Sequence, residues 1–240
     1  MQAVILAAGL GTRLRSVIGD EIPKVMTKYN NKPLLQYTIG ILKKYGVKDI
    51  VMVVHHKKEH IMDFFKDGKS LGLNINYVFQ ENPKGGTADA VRYAKGKING
   101  DKFLLVYGDN IFDKSSVGKI LEMKSNHDGI IAVKKMEDVS KYGVVEVNGN
   151  RIIGIVEKPE VAVSNLVLAG LFILPNAIFD FIEKIKPSKR NEYELTDAIQ
   201  LLIKNNYNFG YIQIDEFWID PRDAKELELA RQFIDENYDE

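Results

Sequence analysis

Short β-branched runs alternate with amphipathic stretches over the first 135 residues of this chain, and no other feature restricts its fold as much. Ala3–Leu6, Ile50–Val54, Ile75–Phe79, Phe103–Val106 and Ile130–Val133 are brief apolar runs that read as buried strands. Between them, Pro33–Tyr45 places Leu34, Tyr37, Ile41 and Leu42 on one helical face, and Lys57–Phe65, Thr87–Lys97 and Ser116–Ser125 read as further helices. Strands joined through helices require right-handed crossovers, which predicts an α/β fold with a mainly parallel, mixed sheet and helices on both faces. After about residue 140 the pattern changes. Gly143–Val147 and Arg151–Val156 flank Asn148-Gly149-Asn150, the signature of a tight antiparallel hairpin. Val167–Leu174 and Phe209–Ile214 read as strands, Asn176–Ile185, Leu195–Asn205 and Ala224–Tyr238 as helices. No Pro/Gly/Ser linker interrupts the 240 residues, so one domain is expected, with an α/β half at 1–135 and an antiparallel portion inserted in the half at 136–240.

Composition excludes several functions. The 33 basic and 33 acidic side chains balance, so there is no broad basic face for nucleic acid or for an anionic membrane. An anionic substrate must be met by individually placed cations. The chain has no cysteine, which excludes disulfides, thiolate metal sites and a thiol nucleophile. Met1–Ala8 lacks a basic leader, and no apolar run approaches the ~20 residues that span a bilayer. A cytoplasmic protein without a signal peptide is expected.

Ligands of open α/β sheets sit beyond the carboxyl ends of the strands, and the residues able to do chemistry follow those ends. After the first strand comes Leu6-Ala7-Ala8-Gly9-Leu10-Gly11-Thr12-Arg13-Leu14. Its small residues let backbone N–H groups approach a polyphosphate, with Arg13 as a cation; a tight strand-to-helix turn would need the same glycines. The loop lacks both the third glycine of a dinucleotide fingerprint and the Gly-Lys-[Ser/Thr] ending of a Walker loop. Pro23-Lys24 adds a second cation. Gln80-Glu81-Asn82-Pro83-Lys84-Gly85-Gly86-Thr87 offers glycines at a helix start and an amide suited to a uracil or thymine edge; a capped turn is the plainer reading. Asp109 closes a buried strand and can ligate Mg²⁺ over a phosphate or simply form a turn, and Asp220, after the lone tryptophan Trp218, is a second carboxylate. Glu157-Lys158-Pro159 leaves the hairpin, with Lys158 a point charge for a phosphate or half of a surface ion pair. His55, His56 and His60 are set aside as solvated imidazoles.

These pieces together resemble the sugar-1-phosphate nucleotidylyltransferases, closest to the glucose-1-phosphate thymidylyltransferase and uridylyltransferase branch. The resemblance lies in their order: Leu6–Leu14, Pro23-Lys24, Gln80 with Gly85–Ala88, Gly108-Asp109-Asn110, Tyr142-Gly143-Val144-Val145, Glu157-Lys158-Pro159, Asn165, Ala169-Gly170-Leu171, Glu194-Leu195-Thr196-Asp197 and Trp218-Ile219-Asp220. It implies a Rossmann-like sheet and a reaction of a pyrimidine nucleoside triphosphate, dTTP or UTP, with a sugar 1-phosphate, here glucose 1-phosphate. The nucleotide is then held by Leu6, Ala8, Gly9, Gly11, Thr12, Gln80, Gly85, Gly86 and Thr87. Arg13 and Lys24 face the phosphates, Asp109 and Asp220 hold Mg²⁺, and Gly143, Glu157, Asn165 and Lys158 bind the sugar phosphate. The sugar phosphate attacks the α-phosphorus in line and pyrophosphate leaves, so alignment and charge neutralisation do the work.

Four departures accompany the resemblance. Lys28 stands where the family often has proline, the loop at Gly85-Gly86-Thr87 is one residue longer than in the thymidylyltransferases, and Pro221-Arg222-Asp223 replaces a Gly-Thr pair after Asp220. The chain also stops at Glu240, without extra C-terminal helices or a hexapeptide-repeat domain, so no second activity and no allosteric site of that kind is expected. Alternatives are another sugar 1-phosphate such as N-acetylglucosamine 1-phosphate, and a silent regulatory subunit that binds sugar nucleotide. The presence of Arg13, Lys24, Asp109 and Asp220 speaks against the silent subunit, and the missing third glycine against a dinucleotide-dependent oxidoreductase. Homo-oligomer formation is left open.

Overall fold

A computed structural model describes residues 1–82 and 84–238, with the side chain of Arg13 outside that description. Nine strands form the central sheet: β1 (Ala3–Ala7), β2 (Asp49–Val54), β3 (Asn74–Phe79), β4 (Lys102–Tyr107), β5 (Gly129–Lys135), β6 (Gly143–Asn148), β7 (Arg151–Glu157), β8 (Leu166–Pro175) and β9 (Phe209–Gln213). Their order across the sheet is β3-β2-β1-β4-β8-β5-β9-β7-β6. The first four neighbours are parallel, as helical crossovers demand. From there the sheet is mixed: β8 runs antiparallel to β4 and β5, β9 parallel to β5, and the β6–β7 hairpin antiparallel at the far edge. Each expected strand forms within two residues of its expected limits.

Burial explains why these runs are strands. Val51, Met52 and Val53 in β2, and Leu104, Leu105 and Val106 in β4, are fully buried, so both faces of the sheet are covered and the sequence shows continuous apolar runs. Alternate residues divide between two cores. Ala3, Ile5 and Ala7 pack with Leu35, Ile39 and Leu42 of the Leu34–Lys44 helix, with Ile61 and Phe65 of Lys58–Phe65, and with Val117 and Ile120 of Lys114–Glu122. Val4 packs on the other side with Ala88 and Val91 of Thr87–Arg92, Phe179 of Ile178–Ile182 and Ile199 and Leu202 of Leu195–Lys204. A third cluster joins Leu227, Ala230 and Ile234 of the Ala224–Asn237 helix to Leu14, Tyr29 and Leu34. The expected helix Thr87–Lys97 is shorter: beyond Arg92 the bonds become i→i−3, from Ala94, Lys95 and Lys97, and Gly96 has a positive φ.

Two local features aim the strand ends at one place. A two-stranded ribbon pairs Ile111–Phe112 with Trp218–Ile219, Ile219 opposite Ile111, and so carries the segment after residue 218 to the end of β4. A register shift in β8 between Leu168 and Phe172 centres on Gly170, whose φ of +67° lies in the left-handed region. A Cβ on Gly170 would come within 2.8 Å of Asn110 Nδ2 and 3.0 Å of Tyr107 Cδ2, so the bulge also makes room for the turn after β4. Gly170→Ala should destabilise the fold by about 1–3 kcal/mol through backbone strain and this crowding. Urea denaturation would show a lower midpoint with an unchanged slope; an unchanged midpoint would mean that the bulge does not need glycine.

Candidate active site

The centre of the site is an ammonium group. Lys24 opens a 3₁₀ turn at Lys24–Met26, and its side chain is only 9% exposed. Its Nζ donates to Asp109 Oδ2 at 2.8 Å and to Asp220 Oδ1 at 2.9 Å. The other oxygen of Asp220 accepts from Arg222 Nε at 2.9 Å and lies 2.8 Å from its Nη2. Two carboxylates and two cations therefore cancel in a small volume. Burial by itself would lower the Lys24 ammonium, but Asp109 and Asp220 outweigh it and hold the group above the usual lysine value. Burial likewise raises the Asp220 carboxyl, and Lys24 and Arg222 overcome that to hold it below the usual range. The Arg222 guanidinium also lies 4.1 Å from the centroid of the Tyr142 ring, which meets Trp218 edge-on at 5.5 Å. Buried Arg222 Nη1 and Asn110 Oδ1 have no partner among the described residues. Such groups are costly to leave unpaired and suit a ligand.

Three cavities meet at this cluster. The first, about 290 Å³, runs from Lys24 and Asp109 past Leu6, Ala8, Gly9 and Gly11 to Gln80, Gly86 and Thr87. Its far wall is fixed by a second loop: Tyr193 N donates to Gly85 O at 2.7 Å, Ala88 N to Tyr193 O at 2.9 Å, and Leu195 N to Thr87 Oγ1 at 3.0 Å. Gly86 has a φ of +92°, and a Cβ there would sit 2.6 Å from Tyr193 O, so only glycine fits the clamp. Gln80 is 4% exposed and donates through Nε2 to Asp89 Oδ2 at 2.8 Å. The amide keeps a second N–H and its oxygen for the cavity. A ring nitrogen of His55 lies 2.7 Å from the Gln80 carbonyl oxygen, so this histidine serves the loop rather than solvent.

The second cavity lies between Gly11, Thr12 and Leu14 on one side and Pro221 and Arg222 on the other, with Lys24, Asp109 and Asp220 at its base. The third opens between Tyr142, Gly143, Glu157, Lys158, Arg190 and Arg222. There Arg190 Nη2 bridges Glu194 Oε1 at 2.7 Å and Glu157 Oε1 at 3.4 Å, and Thr196 Oγ1 donates to Glu157 Oε2 at 3.4 Å. Burial, then repulsion from Glu194, pushes the Glu157 carboxyl up to about 7 against the pull of Arg190. Near neutral pH this side chain can offer a proton or accept one, which suits a site for sugar hydroxyls.

Of the residues expected from sequence, Leu6, Ala8, Gly9, Gly11, Thr12, Lys24, Gln80, Gly86, Thr87, Asp109, Gly143, Glu157, Lys158 and Asp220 all line these connected cavities. Two do not. Gly85 is buried behind the wall, where its neighbour is the Asp89 carboxylate, and Gly86 takes the lining position. Asn165 is exposed at the start of β8, and its backbone oxygen accepts from Met136 N at 2.9 Å. The backbone of Arg13 lies in the Thr12–Leu14 turn, while its expected phosphate contact lies outside the described residues. The structure adds Tyr107, Asn110, Arg190, Glu192 and Arg222. Arg222 was visible as the departure after Asp220; nothing in Ser188-Lys189-Arg190 separated it from a surface loop. Among the described residues no three His, Cys, Asp or Glu side chains are grouped to hold a metal alone, and no helix is long and apolar enough to cross a membrane.

A mixed sheet whose parallel strand ends carry cations and paired carboxylates beside a glycine-lined cleft has the arrangement of an α/β ligand-binding protein. Residues 2–236 match the family model for nucleotidyl transferases, and the chain belongs to that family. It is 37% identical over 240 residues to the UTP–glucose-1-phosphate uridylyltransferase AglF of Haloferax volcanii, covering 97% of each chain. It is 34% identical to the low-salt glycan biosynthesis nucleotidyltransferase Agl11 of the same organism, covering 98% of this chain and 66% of that protein. It is also 37% identical to the bifunctional protein GlmU of Methanococcus maripaludis, over 92% of this chain and 51% of that protein. The chain thus spans about half to two thirds of the length of several curated relatives. A UDP-glucose pyrophosphorylase solved with UDP-glucose superposes with a TM-score of 0.86 at 27% identity, over 98% of both chains.

The raised Glu157 carboxyl has a measurable sign. The folded protein binds this proton more tightly than the unfolded chain, so the stability it confers is full below the ordinary glutamate range and is lost as pH rises through about 7. Glu157→Gln is neutral throughout and should gain on the unaltered protein between about pH 5 and pH 8, by at most about 3 kcal/mol. Equilibrium unfolding at the two pH values measures the gain, and a ¹³C titration of the carboxyl should show its midpoint near 7. An ordinary glutamate midpoint would remove the assignment.

Proposed function

We propose that this protein joins a pyrimidine nucleoside triphosphate, UTP or dTTP, to a sugar 1-phosphate, with glucose 1-phosphate as the preferred sugar, releasing pyrophosphate. The observation that carries the reading is the Lys24 ammonium shared by Asp109 and Asp220 where a nucleotide-sized cleft meets a second pocket holding Lys158 and Arg190. Two anionic substrates entering from those two sides would bring their phosphates together over it. The likeness to a uridylyltransferase of nearly the same length supports the same reading. In the proposed division, residues 1–135 serve the nucleotide and 136–240 the sugar phosphate.

The base lies against Gln80, Gly86 and Thr87, and the triphosphate along Gly9–Thr12 toward Arg13 and Lys24. Lys158 and Arg190 hold the sugar phosphate, with Glu157 and Gly143 against the sugar ring. A sugar phosphate is already ionised at neutral pH, so its oxygen attacks the α-phosphorus in line without a general base. The chain's part is to align the two phosphates and to lower the repulsion between them with Lys24 and Arg222. Asp109 and Asp220 fit Mg²⁺, which takes one or two carboxylates together with substrate oxygens, and the unpartnered Asn110 Oδ1 is a further hard donor. When bound, the ion would supply charge neutralisation on the α-phosphate and the departing pyrophosphate. A cytoplasmic location follows the proposed triphosphate substrate. UTP and dTTP share one hydrogen-bonding edge and differ by a methyl worth about 1 kcal/mol, so the reading takes both.

Pyrophosphate release from five nucleoside triphosphates, each with a panel of sugar 1-phosphates that includes N-acetylglucosamine 1-phosphate, tests the proposal. Turnover is expected with UTP or dTTP and glucose 1-phosphate. Silence of every pair would sink the enzyme reading and favour a binding subunit. Asp109→Asn should cut turnover by on the order of 10²–10³-fold, while circular dichroism shows the fold retained because Lys24 still has Asp220. Near-normal release from that variant would overturn the role of Asp109.

A further inference from the structure

The wall of the base cavity is fixed from behind by side chains that do not line it. Gln80 Nε2 donates to Asp89 Oδ2 at 2.8 Å, and Asp89 Oδ1 accepts from Arg92 Nη2. Asp89 is 3% exposed in the first turn of the Thr87–Arg92 helix. Gly85 covers it so closely that a Cβ would strike the carboxylate. The Arg92 guanidinium lies 5.9 Å from the ring centroid of Tyr193, the residue whose backbone clamps Gly85 and Ala88.

A primary amide is an ambiguous reader. Turning its terminal torsion by half a revolution exchanges oxygen for NH₂, and each end then satisfies the opposite kind of partner. A carboxylate paired with a guanidinium has only acceptors to offer, so Asp89 admits only the NH₂ end of Gln80. The amide oxygen and the remaining N–H are thereby held in set places on the cavity wall. Uracil and thymine present an N–H donor flanked by carbonyl acceptors. Cytosine presents a ring-nitrogen acceptor beside an amino donor. An amide held to complement the first edge sets like against like on the second, whereas a free amide could turn to suit either.

We infer that Asp89 is a specificity-determining residue that acts through Gln80, locking the amide in the orientation that reads uracil or thymine and rejects cytosine. The inference rests on the nucleotidyl-transfer reading above. It makes base choice a property of a buried ion pair that touches no substrate, and it explains why a glycine is needed at position 85, behind the lining rather than in it.

The test compares kcat/KM for UTP and for CTP at saturating glucose 1-phosphate. Asp89→Asn keeps the shape but offers either an oxygen or an NH₂, so both orientations become open to Gln80. The UTP-over-CTP ratio should fall about tenfold or more, with the KM for glucose 1-phosphate within about twofold of the unaltered value. Arg92 is partly exposed, so Arg92→Gln is less disruptive to folding; without the guanidinium that fixes its other oxygen the Asp89 carboxylate can turn away from Gln80, and the ratio should move the same way by a smaller factor. Unchanged ratios in both variants, or a loss spread equally over UTP, CTP and the sugar phosphate, would overturn the lock. An unaltered protein with no turnover on any triphosphate would instead overturn the reading on which it rests.

Discussion

One buried ammonium group organises this molecule. Lys24 joins carboxylates 85 and 196 positions further along the chain, and the three cavities meet at this cluster. Taking ions out of water costs several kcal/mol per ion unless geometry and partners are near ideal. Lys24 and most of Asp220 are buried, while Asp109 stays partly exposed. Here Arg222 supplies the fourth charge, and both oxygens of Asp220 are bonded. The neutral sum lets these four charges sit side by side in a chain of zero net charge. In the proposed reaction the entering phosphates would meet Lys24, Lys158, Arg190 and Arg222, each of which is paired with a carboxylate.

The sheet makes that convergence affordable in backbone terms. Four parallel strands end at one edge, which delivers the Gly9–Thr12 loop, Gln80 and Asp109 to a common rim. Asp220 arrives by another route. It follows a two-residue strand that pairs beside the turn after β4, with Ile219 opposite Ile111. The Gly170 bulge then leaves space for Asn110 next to that turn. In the first cavity, Gly86 lines the space and Gly85 meets Asp89.

Much of the fold was legible in the chain because burial on both faces of a sheet leaves continuous apolar runs, and burial on one face of a helix leaves the 3.6-residue period. Those signals are local, and each element they marked exists. Motif order along the chain also pointed to Lys24, Asp109, Asp220, Gln80 and Lys158. Arg190 and Asp89 were not legible. Their importance depends on which side chain faces them across the fold, Glu194 and Glu157 in one case and Gln80 in the other. Asn165 shows the reverse failure: a residue in the expected place in the motif order whose side chain the loop leaves in solvent, because only its carbonyl is tied to Met136. His55 resembled a solvated imidazole until the strand pairing of β2 with β3 put it beside the Gln80 carbonyl.

By itself the sequence determined the strand and helix runs, the change from parallel units to a hairpin near residue 140, the absence of cysteine chemistry and the residue types available for a nucleotide and a sugar phosphate. These follow from periodicity, composition and short-range turn chemistry, which act within a few residues. Only the tertiary structure decided that Asp109 and Asp220 share Lys24, that Gly86 rather than Gly85 meets the cavity, and that Arg222 closes the charge cluster over Tyr142. Each of these is an encounter between segments brought together by strand order and register. Electrostatic pairing, steric exclusion and the orientation of an amide are set by distances across space, and those distances exist only once the sheet has formed.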